Sequence, residues 1–287
     1  MSAQRYCPET VASPKGLPGE PARQVPSLLV YVLVAAVGTS AFLYPFWLPS
    51  EALPNSAHSG DAPLLSAAVA AMVVMAIVFE VRGGSMNAAG IAVLGVLSAF
   101  AGLLRLIDLP GGGSGMFFLV ILAAASLGPR FGLLLGITAM AVSAVVTGGV
   151  GPWLPYQMLA LGFMGASSGA LAIFSRRLPL FLELVLLVAW SWVWGFVYGA
   201  IMNLWFWPFM RGLGPLSWQP GMGFVETLKS YWRFYVSTSL AWDAAGAISN
   251  AVLVAATGIP VLATLRRFAA RVEPPVVIEA IGRSAKT

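Results

Sequence analysis

The sequence predicts an all-α polytopic membrane helical bundle with eight transmembrane helices. Three observations predict it. Hydrophobic residues make up 59% of the 287 and charged residues only 9%, with a mean hydropathy of +0.84. Soluble chains carry roughly 25% charged residues, and a water-soluble globule could not hide this much apolar surface. The apolar residues fall into eight separate runs, most of them close to the ~20 residues that a helix needs to cross a bilayer. Arg and Lys collect in alternate connections between those runs, as they do in cytoplasmic loops. A soluble enzyme, a secreted disulfide domain and a disordered chain are thereby excluded.

Residues 1–26 are polar, contain proline and show no cleavable signal pattern, so they read as a cytoplasmic tail. Cys7 lies there as the single cysteine and has no internal disulfide partner. The apolar runs are 27–48, 64–81, 87–106, 115–127, 131–147, 153–174, 179–208 and 240–265. Residues 269–287 make a basic cytoplasmic tail. The fourth run is short and stops at Gly128-Pro129-Arg130, a tight turn because proline cannot continue a helix. One kinked helix over 115–147 is the alternative. It would leave Arg130 in lipid and set the early basic residues across the membrane from Arg176, Arg177 and the C-terminal cluster. Charge at the bilayer centre is costly, so eight spans are preferred. Both termini are then inside. The inner segments hold Arg5, Lys15, Arg23, Arg82, Arg130, Arg176, Arg177, Arg266, Arg267, Arg271, Arg283 and Lys286, 12 of the 16 Lys and Arg. Arg211, Lys229 and Arg233 fall outside, and Arg105 sits near the outer end of the third run.

The outer segments are 49–63, 108–114, 148–152 and 209–239. The last is rich in Gly, Pro, Trp and Tyr, and a loop of that length reads as a lid over a site. Asp108 begins a segment containing Gly111, Gly112 and Gly113, whose consecutive glycines make a mobile hinge. Only three lysines occur and none follows glycine, so the chain has no GxxxxGK[ST] phosphate loop. No paired Asp-rich motif points to prenyl transfer. The sole histidine, His58, lies in an outer loop and reads as a solvated surface residue, and no metal or cofactor is expected. Gly165-Ala166-Ser167-Ser168-Gly169 matches the GxSxG nucleophile pattern. No base is placed to reach that serine, and a small-residue packing face is the simpler reading.

Ionisable residues inside the membrane are the natural suspects for function. Glu183 reads as the partner of Arg176 or Arg177 in a local ion pair, and Glu80 is terminal on its run. Asp243, Gly246, Ala247 and Asn250 follow i, i+3, i+4, i+7 and share one helical face. Such a face points into the bundle, either to bind a ligand or to bond a neighbouring helix. Trp190 and Trp194 share a face with Tyr198, and Trp192 points elsewhere. Trp205, Trp207 and Trp218 fit an interfacial aromatic belt. Trp153, Tyr156 and Gln157 open the sixth run from outside. These residues outline an outward-facing aromatic cavity with Gln157, Asn203, Asp243 and Asn250 as polar contacts, suited to a flat or bulky organic ligand.

The third run carries the small pairs Ala88/Ala92, Gly95/Ala99 and Ser98/Gly102, a flat surface for another helix. From here the chain resembles a known family. The stretches GVLSAFAGLLRL, GMFFLVILAAASLGPRFGLLLG and TGGVGPWLPYQMLALGFMGASSGAL are similar to the core of substrate-binding (S) components of energy-coupling factor (ECF) vitamin transporters. YGAIMNLWFWPF and SLAWDAAGAISNAVL resemble its eight-span branch, assigned to cobalamin or related corrinoids. The resemblance implies a six-helix core, residues 87–268, preceded by two extra helices in residues 27–82. It implies a multi-pass protein of the plasma (inner) membrane and a non-enzymatic vitamin receptor. Its ligand site would lie near the outer face, gated by Asp108, Gly111, Gly112 and Gly113. A transmembrane coupling (T) subunit would dock on Ala88, Ala92, Gly95, Ala99 and Gly102, and two partner ATPase subunits would supply energy. The ligand contacts expected are Trp153, Tyr156, Gln157, Trp190, Tyr198, Asn203, Asp243 and Asn250. A stand-alone secondary transporter and an intramembrane serine hydrolase are the alternatives.

Overall fold

The computed structural model describes residues 25–48, 57–109 and 113–272. Nine α-helices occur among them: α1 (Val25–Leu43), α2 (Ala62–Arg82), α3 (Ala88–Leu104), α4 (Met116–Leu127), α5 (Pro129–Thr147), α6 (Leu154–Ser175), α7 (Leu180–Phe206), α8 (Phe224–Thr238) and α9 (Leu240–Val272). Six of them, α1, α2, α5, α6, α7 and α9, are long and apolar enough to cross a membrane, while α3 and α4 are apolar but shorter. The eight apolar runs each became a helix. Gly128 turns the chain between α4 and α5 at φ +97°, a backbone angle that favours glycine, and Pro129 opens α5 with a preset helical φ.

The core forms around α4, which is buried almost continuously from Met116 to Ser126. A helix apolar on every side belongs in the centre, and α4 touches α3, α5, α6, α7 and α9. The tightest neighbours are α5 and α6. A Cβ on Gly132 would strike the backbone of Gly165, and one on Gly136 would strike Leu161. The GxSxG stretch therefore has a packing role. Ser167 and Ser168 donate to the Met164 carbonyl, and Gly169 leaves room for Pro129.

Charges pair at the end of the bundle opposite α8. Glu183 of α7 is 1% exposed and accepts two bonds from Arg266 of α9, at 2.6 and 2.9 Å. The expected pairing with Arg176 or Arg177 is thereby corrected: the Arg176 guanidinium donates to the Ala125 carbonyl, and the partner came from a distant helix. Glu80 is buried rather than merely terminal, paired with Arg130 at 3.1 Å.

The other end differs most from expectation. Within 209–239 the chain forms the amphipathic helix α8, with Ser230, Phe234 and Tyr235 turned inward. Trp207 and Trp218 are buried with Phe234 beneath this segment, so they form a small core of their own rather than part of a lipid-facing belt. His58 is also buried, at 3% exposure. Its Nε2–H donates to the Trp205 carbonyl, while Nδ1 faces Asp61, Tyr44 and Tyr156 at 2.9, 3.1 and 2.6 Å. This cluster joins the connection before α2 to α6 and α7.

Candidate functional site

The C-terminal half of α7, the first turns of α9 and the start of α4 border a partly open cavity of about 440 Å3. Gly195 and Gly199 let α7 and α9 approach: a Cβ on the first would meet Ala247, and one on the second would meet the Asp243 carboxylate. The stripe Asp243, Gly246, Ala247 and Asn250 does point into the bundle, and three of its members, Asp243, Gly246 and Asn250, line this cavity. Tyr198, Asn203, Ser239, Phe117 and Ser114 complete much of the wall.

Two acceptors in the cavity wall have no donor among the described residues. The Asn203 amide donates to Ser239 Oγ at 2.8 Å, tying the end of α7 to the residue between α8 and α9. Asn250 is 1% exposed and its Oδ1 has no hydrogen-bond partner among the described residues. Asp243 Oδ2 is likewise buried without one among those residues. Tyr235 approaches Asp243 from α8, but its hydroxyl also lacks a partner within hydrogen-bond distance. Burial and the Asp243 carboxylate beside it push the Tyr235 hydroxyl above its ordinary pKa. Phe117 and Tyr198 meet edge to face with centroids 4.7 Å apart.

The other sequence-predicted contacts lie elsewhere. Trp190 bonds Ser168 through its indole N–H and packs on Trp194, joining α7 to α6. Tyr156 belongs to the His58 cluster. Trp153 is 40% exposed and donates to the Gly149 carbonyl, with Gln157 one turn further along α6. Sequence reasoning missed Ser114, Phe117, Met202, Ser239 and Trp242 as cavity walls. Of the glycine segment, Gly111 and Gly112 lie outside the described residues. Its flanks form a two-stranded hairpin, Asp108–Leu109 (β1) with Gly113–Ser114 (β2), and β2 packs on α9. On α3, Ala88, Ala92, Gly95 and Ala99 are exposed, whereas Gly102 is buried against Val142 and Ser143 of α5. A second cavity, about 340 Å3 at the opposite end, has Glu80 and Arg130 in its wall, already paired with each other.

A family model described as "ECF transporter, substrate-specific component" matches residues 89–257, from α3 into α9. The chain belongs to that family. A search of curated proteins and one of solved structures found no match. This S component is thus a multi-pass membrane protein and the substrate-binding subunit of an ECF transporter. Its family is a transporter component rather than an enzyme family. Membership implies association with transmembrane and ATPase subunits and a small-molecule substrate.

Proposed function

We propose that this S component captures a ring-bearing vitamin from outside the cell and delivers it inward using ATP hydrolysed on partner subunits. The observation that carries the reading is the 440 Å3 cavity with two unpartnered buried acceptors, placed at the α8 end beside the hairpin. The charge distribution supports the orientation. Eight spans with both termini inside put 12 of the 16 Lys and Arg in the cytoplasm and open the cavity outward. The β2 strand, Gly113–Ser114, is the part of the chain placed to close over the ligand, since it packs on α9 and Ser114 already lines the cavity. The exposed stripe Ala88, Ala92, Gly95 and Ala99 on α3 receives the coupling subunit, because small residues let another helix approach closely. In this arrangement α1 and α2 are an addition to the six-helix core.

A corrinoid is the substrate that the family resemblance favours. The cavity lies toward the small end of the ~300–1,000 Å3 typical of ligand sites, which suits one or two fused rings. A corrinoid would enter only with the cavity widened and the hairpin strand that carries Ser114 displaced. Mass spectrometry of the ligand that co-purifies with the protein, followed by titration of that compound, identifies the substrate. In liposomes the lone chain should hold its ligand yet never concentrate it, and the assembled transporter should import it with ATP. Concentrative uptake by the lone chain, or labelling that places Asp243 at the cytoplasmic face, would overturn the proposal.

A further inference from the structure

We infer that the ligand of this cavity is a small ring compound that presents a positive charge or a donor-rich amino group to Asp243 and a second donor to Asn250. The inference rests on reading the cavity as the capture site and goes further, to the charge of the substrate. Asp243 is the only charged side chain that lines it among the described residues. The other polar walls are Ser114, Asn203, Ser239 and Asn250, and the remainder is glycine, methionine or aromatic. Two oxygens, Asp243 Oδ2 and Asn250 Oδ1, are buried and accept no hydrogen bond among the described residues; the Tyr235 hydroxyl stands beside Asp243 without reaching hydrogen-bond distance. An acceptor taken out of water without a donor keeps its full desolvation penalty, so both are better satisfied by a ligand that donates.

The rest of the wall agrees. The Asn203 amide is already engaged with Ser239, so it does not satisfy the two acceptors. The guanidinium of Arg105, which lies near enough to act on Tyr198, is turned to Met140 Sδ and does not line the cavity. An anionic ligand would therefore meet a carboxylate with no counter-charge. Tyr198, Phe117 and Trp242 offer ring faces and edges, which favour a cation or a flat heterocycle. Asp243 and Asn250 are seven residues apart on one helix face, a rise of about 10 Å. That separation sets the span between the two donors and fits a ligand of one or two rings.

Three probes of matched size test the charge: benzylammonium, benzyl alcohol and benzoate, titrated against the purified protein by ligand-observed NMR. Benzylammonium should bind at least tenfold more tightly than either of the others. Asp243→Asn should abolish that preference while its melting profile stays close to the wild type. Equal binding of the three probes, a preference for benzoate, or a preference that survives in Asp243→Asn would overturn the inference. So would failure of benzylammonium to bind. If Asp243→Asn does not fold, the wild-type ranking alone decides. The proposed function is judged separately, by ligand co-purification and by ATP-driven import in the assembled transporter. A vitamin that is imported but shows no charge preference would sink this inference and leave that reading intact.

Discussion

Asp243 rests against the bare backbone of Gly199, and that contact makes position 199 sensitive. Gly199→Ala must push the carboxylate away from α7 or separate α7 from α9, so ligand affinity should fall without loss of the other cavity walls. Substituting Asp243→Ala and Asn203→Ala together should weaken ligand binding at least tenfold, about 1.4 kcal/mol. Unchanged affinity by calorimetry would remove both from the site. His58 makes its prediction through Asp61. Burial works to raise the Asp61 carboxyl, but hydrogen bonds from His58 and Tyr44 outweigh it and hold the pKa below the ordinary value. A carboxyl lowered by folding stabilises the protein above the ordinary carboxylate range, and that contribution fades as pH falls through the lowered value. The wild-type melting temperature should therefore drop more between pH 7 and pH 3 than that of Asp61→Asn. Parallel curves would show that the carboxylate contributes nothing. None of this was legible in sequence. His58 meets Trp205 at a separation of 147 residues, and a histidine in an outer loop carries no local sign of what covers it.

Elements were far easier to read than contacts. The apolar runs and the Gly-Pro turn gave all eight apolar helices because length and hydropathy act locally. The helix α8 was missed because its surroundings suggested a loop. Its signal was present in Thr227, Ser230, Tyr231, Phe234 and Tyr235, which share one face, with the Tyr231 hydroxyl bonded to the Ala200 carbonyl. Helix pairing was hidden too, since Glu183 could be matched to the near Arg176 or to the far Arg266 with equal logic. The observed pair links α7 to α9 below the cavity. Glu183→Gln leaves Arg266 without its counter-ion, and breaking a buried pair on one side costs about 3–5 kcal/mol. The melting temperature should fall, and replacing both residues with methionine should recover much of the loss. Gly165→Leu should separate α5 from α6 and prevent accumulation of folded protein, measured by detergent-stable monomer yield.

At the scale of the whole molecule, the proposed function assigns separate tasks to two surfaces: ligand capture to a cavity at one end and docking to a small-residue stripe on the flank. A Cβ on Gly95 would meet nothing within 4 Å among the described residues, so Gly95→Leu should leave ligand affinity unchanged while lowering ATP-driven uptake severalfold in the assembled transporter. Loss of affinity instead would assign Gly95 an internal role. The sequence exposed this stripe as three interlocking small pairs but could not show that Gly102 turns inward to α5, because small spacing looks alike on both faces of a helix. The same limit applies to the cavity. Its α9 contributors share a face in one dimension, whereas Ser114 and Phe117 arrive from another part of the chain. Finally, Ser239 alone separates α8 from α9. A single residue that lines the cavity thus joins an amphipathic outer helix to the helix that bears Asp243, and on the proposed function a ligand held there would feel any tilt of α8 through that joint.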